Sequence, residues 1–464
     1  MAGLLLAVPG VAFAHGHLKS SSPGAGAHLG TVPREVRLEF SEVPDLTFST
    51  VKLIGKDGRE IALGPLGYTA ESRRAVSAAI RGELLAGTYV VQWQLAGDDG
   101  HPIRGRFDFV VASGAMGAGQ DSGMVMHQDP ASTPEGNGFG ADSVAYVLVR
   151  WLQFMALLLT IGAVSFRQFV LAFLRRKEDP DSPMLVVAEA RAARAGHLAA
   201  GVLVITLLLR LIAQSYAMHG AADAWNIGLS VQMIQKTMWG KGWLLQLAGV
   251  IVAGVGFHLA DRARRARGAA SESTLGARGN GWQLATLGAV LLAFSPAFSG
   301  HASASPKLRT LAVLADGLHV MSASSWLGSL ALVLIAGLPA AMRLAESERG
   351  PMVSELINAF SPVALASAAL AASSGVFAAW LHVGLIPNLW GTRYGITLLV
   401  KLTILGAVAL TGFYNWRFVK PRLGTDDATM HLRRSARVEV AVAILVLLVT
   451  AILVATPTSM DMVM

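Results

Sequence analysis

The chain has 464 residues, a mean hydropathy of +0.51 and only 15% charged residues, which excludes one soluble globular domain and calls for several lipid-embedded segments. The formal net charge of +8 is no mark of nucleic acid, because the Lys and Arg residues of the C-terminal two-thirds gather in short loops between apolar runs. With no cysteine there is no disulfide, zinc-thiolate site or catalytic thiol, and soft-metal chemistry falls to His and Met.

Residues 1–14, MAGLLLAVPGVAFA, read as a secretory leader. Leu4 to Val11 form a short apolar stretch, Ala12-Phe13-Ala14 a small-x-small cleavage signal, and a basic n-region is lacking. Cleavage after Ala14 makes His15 the new N-terminus. From 15 to 112 the apolar residues alternate: Val36, Leu38, Phe40; Tyr89, Val91, Trp93, Leu95; Phe107, Phe109, Val111. Period two over short runs broken by Gly and Pro predicts an all-β sandwich. Residues 113–140, rich in Gly, Ser, Ala, Asp and Pro, read as a flexible linker.

A second, all-α domain follows over 141–458. Eight apolar segments, near 143–174, 195–217, 239–260, 282–299, 308–337, 354–381, 393–416 and 434–456, predict a polytopic membrane domain in contact with lipid. The fourth is the weakest, being short and carrying Pro296. If the sandwich is exported, the loops assigned inward carry Arg175, Arg176, Lys177, Arg262, Arg264, Arg265, Arg343, Arg417 and Lys420, and the outer loops carry fewer cations. The positive-inside rule and the leader therefore agree on a multi-pass bacterial inner-membrane protein with both mature ends outside.

A mature His15 offers an α-amine and an imidazole nitrogen to one metal ion, a donor pair suited to tetragonal Cu(II). Asp99 and His101 sit two apart after the Trp93 strand, so on extended backbone they leave one face. Together the three give a three-nitrogen, one-oxygen set; the plainer reading of Asp-Gly-His is a polar hairpin turn. His17 stands nearby as a supporting or simply exposed residue.

These features resemble the CopC family of periplasmic copper proteins: the HGHLKSSSPG start, LEFSE from Leu38 to Glu42, and DGHPIRGRFDF from Asp99 to Phe109. The resemblance implies a sandwich of immunoglobulin- or cupredoxin-like form, with His15, Asp99 and His101 as Cu(II) ligands. The stretch Ser41 to Thr50 holds no Met, so a Met-rich Cu(I) loop found in some members is not carried over. The helical part resembles the CopD family, membrane partners of CopC, through Ser299-Gly300-His301-Ala302, the run from Asp316 through His319 to Trp326 and Gly328, Tyr394-Gly395 to Lys401, and Asn415 with Arg417. This likeness implies copper transport or homeostasis, usually uptake.

Asp316 and His319 lie one turn apart, with His319 near mid-membrane, where ionisable groups face a bundle interior or wet path. The pair reads either as a metal station or as a hydrogen-bonded helix lock. His301, His382 and His219 fall toward the outer side, so the expected membrane ligands are His301, His319, His382 and His219, supported by Asp316, taking Cu(I) or Cu(II). His197, His258 and His431 fall toward the cytoplasm. Glu439 is expected to pair with a neighbouring helix charge. The expected partners are copper ions, membrane lipid and an extracytoplasmic copper chaperone.

No P-loop is present, and the chain is read as a non-enzyme. Two alternatives remain. One is a copper redox enzyme using the N-terminal histidine brace, although an Asp99 oxygen leaves no open position for O₂. The other is a haem- or quinone-linked membrane redox protein.

Overall fold

The computed structural model describes residues 18–40, 43–46, 48–96, 102–113, 143–179, 182–266, 273–299, 308–383, 385–419 and 426–456. Alternation makes the N-terminal part a two-layer sandwich. One sheet runs β1 (Leu18–Ser22), β3 (Glu35–Phe40), β7 (Ala75–Ala79), β6 (Gly67–Tyr68). The other runs β2 (His28–Leu29), β9 (Pro102–Val111), β8 (Gly87–Ala96), β4 (Thr50–Gly55), β5 (Glu60–Ile61).

The residues at every second position form its core: Val36, Leu38 and Phe40 face Tyr89, Val91, Trp93 and Leu95 and Phe107, Phe109 and Val111, all buried. Side chains of this size contribute about 1.5–3 kcal/mol each on burial. Trp93 meets Phe40 edge to face at 5.2 Å between ring centroids. In the β8–β9 register Trp93 stands opposite Gly105, where a Cβ would come 2.3 Å from the indole ring. Glycine at 105 is therefore a requirement of space.

Among the described residues eight helices are long and apolar enough to cross a membrane: Val144–Leu174, Pro183–Asp223, Met238–Ala263, Asn280–Phe298, Arg309–Ala341, Glu346–Val383, Arg393–Tyr414 and Arg433–Ala455, here the first to eighth spans. The fourth keeps Pro296 within its last turn. The first and fifth are among the most enclosed, while the sixth and seventh present Leu365, Val376, Leu410 and Phe413 outward. An outward apolar face of this extent is what hydrocarbon covers.

Close approach between spans rests on small residues. A Cβ at Gly162 of the first span would lie 2.5 Å from Gly328 Cα of the fifth, so these helices cross backbone to backbone. Ser165 and Ser325 hydroxyls meet beside the crossing at 2.8 Å. The third and fourth spans interlock through Gly249, Ala253 and Gly256 against Gly281, Ala285 and Gly288.

The fifth span is not a continuous α-helix. Ser324–Gly328 and Val333–Gly337 are π-helical, and similar turns occur at Phe166–Leu171 and Asn415–Val419. A π turn shifts the helical phase. Trp326, within the first of these turns, packs against apolar clusters.

Candidate functional site

His15, His17, Asp99, His101 and His301 lie outside the described residues. Their framework is described. The chain enters β1 at Leu18 and leaves β8 at Ala96, returning at Pro102 opposite it. Leu18 pairs with Phe40, whose ring packs on Trp93 three residues before Ala96, so both points lie toward one end of the sandwich.

That hairpin is seated on the membrane domain. Gln94 Nε2 donates to the Met218 carbonyl at 2.7 Å, and Arg104 Nη2 donates to the Ala217 carbonyl at 2.7 Å. Arg104 Nε also donates to Gln94 Oε1 at 2.8 Å, aligning the two grips. The acceptors are available because Gly220, at φ +79, interrupts the second span just beyond them. Carbonyls at such a break lose their intrahelical donors, and a cation there also suits the helix dipole. Phe48 from the sandwich completes the seat, buried with Met218, Met233, Trp239 and Trp243.

His219 lies in this junction. Its ring centroid is 5.8 Å from that of Phe48. Nδ1 lies 3.1 Å from the Ser215 carbonyl, an acceptor only, so Nδ1 carries the proton and Nε2 the lone pair. Nε2 is enclosed and, among the described residues, has no hydrogen-bond partner.

His319 lies ten residues into the fifth span, about 15 Å along it. Its Nδ1 donates to the Ala371 carbonyl at 2.9 Å and lies 3.2 Å from Ser374 Oγ, both on the sixth span. Gly375 leaves room for the ring; a Cβ there would sit 3.1 Å from His319 Cε1. The imidazole therefore turns to the sixth span, and with Nδ1 donating, Nε2 is its acceptor nitrogen. A ring nitrogen donated to a carbonyl is the usual support for a metal-binding imidazole. Asp316, one turn earlier, and Lys401 of the seventh span are electrostatically coupled, and the Lys401 charge also acts on His319.

His382 occupies the last turn of the sixth span, half-buried. His219, His319 and His382 do not come together as one chelate. Among the described residues no group of three or more His, Cys, Asp or Glu side chains is placed to hold a metal ion.

Several features were not foreseen. Among the described residues Glu439 is bonded by the neutral amide of Asn415 rather than by a helix charge. His197 and His258 face each other across the second and third spans, with ring centroids 6.2 Å apart. Beneath the sandwich, Gln153 Nε2 donates to Gln246 Oε1 at 2.9 Å, Arg150 stacks on Tyr146 at 4.6 Å, and Arg210 lies 5.7 Å from the Trp239 ring centre. The charged residues at intramembrane positions were the available sequence signal for this polar core.

Residues 18–112 match the CopC domain family, residues 141–309 the N-terminal domain of copper resistance protein D-like proteins, and residues 354–453 copper resistance protein D. The copper transport protein CutJ of Bacillus subtilis (strain 168) is 25% identical over 456 residues, covering 98% of this chain and 76% of that protein. Copper resistance protein C of Escherichia coli is 34% identical over 122 residues, 24% of this chain and 90% of its own length. Protein YobA of Escherichia coli (strain K12) is 31% identical over 106 residues, 23% of this chain and 85% of its own. A CopC domain precedes a CopD-type domain of membrane-spanning helices in one polypeptide, and the chain belongs to the CopC–CopD fusion family of copper-handling membrane proteins.

Proposed function

We propose that the protein captures extracytoplasmic Cu(II) on the sandwich and passes copper inward through the helical domain. His15 would contribute its amine and imidazole, and Asp99 and His101 the remaining donors. His219 and His319 are the next stations, with His301 and His382 flanking the outer mouth. Asp316 and Lys401 supply the polar surroundings that a charged cargo needs at mid-membrane.

The observation that carries this reading is the seating of the β8–β9 hairpin on the second span by Gln94 and Arg104, beside His219. Five residues join Ala96 to Pro102, Asp99 and His101 among them. Their reach is bounded at roughly 3.5 Å per residue, so the capture residues are tethered close to the first membrane imidazole. Likeness to a copper transport protein supports the same direction of argument.

The test is cellular copper content at low and high external copper. Cells carrying the wild-type chain should accumulate more copper than cells lacking it at low supply. His319→Ala and His15→Ala should each remove the increase. Normal accumulation by His319→Ala would overturn the membrane route, and normal accumulation by His15→Ala the capture step.

A further inference from the structure

We propose that the junction between the sandwich and the second span is itself a copper(I) site, with His219 Nε2 and the thioethers of Met218 and Met233 as ligands and Phe48 as its cover. The inference rests on the copper reading above and adds an oxidation state and a ligand set.

A buried acceptor without a donor is costly and needs a reason. Among the described residues His219 Nε2 is such an atom, and the Nδ1 bond to the Ser215 carbonyl fixes its lone pair. The Ser215 hydroxyl also meets the Ser230 hydroxyl at 3.2 Å, holding the short helix Ile227–Lys236 against the second span. Met233 lies three residues beyond Ser230, and Met218 three beyond Ser215, so both thioethers sit on the helix faces that Ser215 and Ser230 join. Both are buried in one cluster with Phe48, Trp239 and Trp243.

The donor set is soft: one imidazole and two thioethers. Neutral sulfur ligands in an apolar, aromatic enclosure favour monovalent copper over Cu(II), which prefers nitrogen and oxygen donors. Asp223, four residues past His219 and beyond the Gly220 break, is the acid whose charge acts on it. A single nearby carboxylate balances a single positive charge. The capture set on the sandwich and this junction therefore differ in hardness: Cu(II) released by the first enters the second only after taking one electron from an external small-molecule reductant of the enediol or thiol class, which is oxidised by one electron per copper.

The test uses the full-length protein in detergent or nanodiscs and Ag(I), a redox-inert monovalent probe. Titration and X-ray absorption are run on a His15→Ala, His101→Ala background, which removes the capture set. At least one Ag(I) should bind there with sulfur among its ligands. His219→Ala should weaken it by at least about tenfold, and Met218→Leu with Met233→Leu should weaken it and remove the sulfur signal. Leucine conserves Met volume, so the junction stays packed. His219→Met should restore binding, which a merely structural histidine would not allow.

Unchanged Ag(I) affinity and sulfur signal in the Leu double variant would overturn the site. If that result came with copper accumulation still lost in His319→Ala, the uptake reading would survive without the junction. If the junction behaved as expected while no variant altered cell copper, the uptake reading would be the part that fell.

Discussion

The two halves of the molecule solve the packing problem in different ways. The sandwich buries large residues inward, with Phe40, Trp93, Phe107 and Phe109 filling the space between two sheets. The helical half buries Phe166, Phe257 and Trp282 as well, but it brings several spans together on small residues, Gly162 on Gly328 and the glycine–alanine seam of the third and fourth spans, and it turns many other large apolar side chains outward. Water drives the first arrangement. In lipid that drive is absent between helices, and close backbone packing replaces it. Glycine thus plays two parts: it leaves space for an aromatic ring at Gly105, Gly196 and Gly317, and it is the contact itself at Gly162 and Gly328.

That contrast can be broken by mutation, first where backbone meets backbone. Gly162→Leu should have the largest effect, more than about 3 kcal/mol, because the spans cannot cross with a side chain between them. Loss of monodisperse protein and a lowered detergent melting temperature would register it; a wild-type melt would mean that the first and fifth spans do not touch there. Trp93→Ala should cost about 3–5 kcal/mol, confined to the sandwich. Protease cleavage within residues 18–112 should rise while the melting of the helical half stays put. A simultaneous loss of both halves would show that they fold as one unit.

The seat should be weaker. Gln94→Ala with Arg104→Ala removes one neutral and one charge-assisted hydrogen bond at a partly exposed contact, about 1–2 kcal/mol together. Distances between spin labels on the sandwich and the second span should broaden while each half keeps its own stability. A narrow, unchanged distribution would leave Phe48 as the whole seat. The smallest change in stability belongs to Gly375→Ala, under about 1 kcal/mol, since alanine favours helix and the added Cβ only presses on His319. Copper accumulation should nevertheless drop several-fold, separating position of the imidazole from stability of the bundle. Wild-type uptake by this variant would detach the imidazole's placement from transport.

The fold was legible where a pattern repeats locally. Tyr89, Val91, Trp93 and Leu95 announce a strand, and long apolar runs announce spans, because each reflects the periodicity of one element against its surroundings. What escaped depends on partners far apart in the chain. The i, i+3 spacing of Asp316 and His319 invites a local pair, yet Ala371 and Ser374 hold the imidazole. Gln94 and Arg104 read as ordinary outward strand residues, and Phe48 belongs to no periodic run, so their common seat on the second span leaves no local trace. The π turns in the fifth span were hidden for a different reason: hydropathy averages over a helix and is blind to one extra residue in a turn.

Gln94 and Arg104 grip neighbouring carbonyls of a single span, which gives that helix leverage over the sandwich. A tilt of about 5° in the second span, carried through the ~33 Å of a ten-residue strand, displaces the far end of the sandwich by about 3 Å. The seat thereby converts a small angular change in the span into a larger displacement of the sandwich.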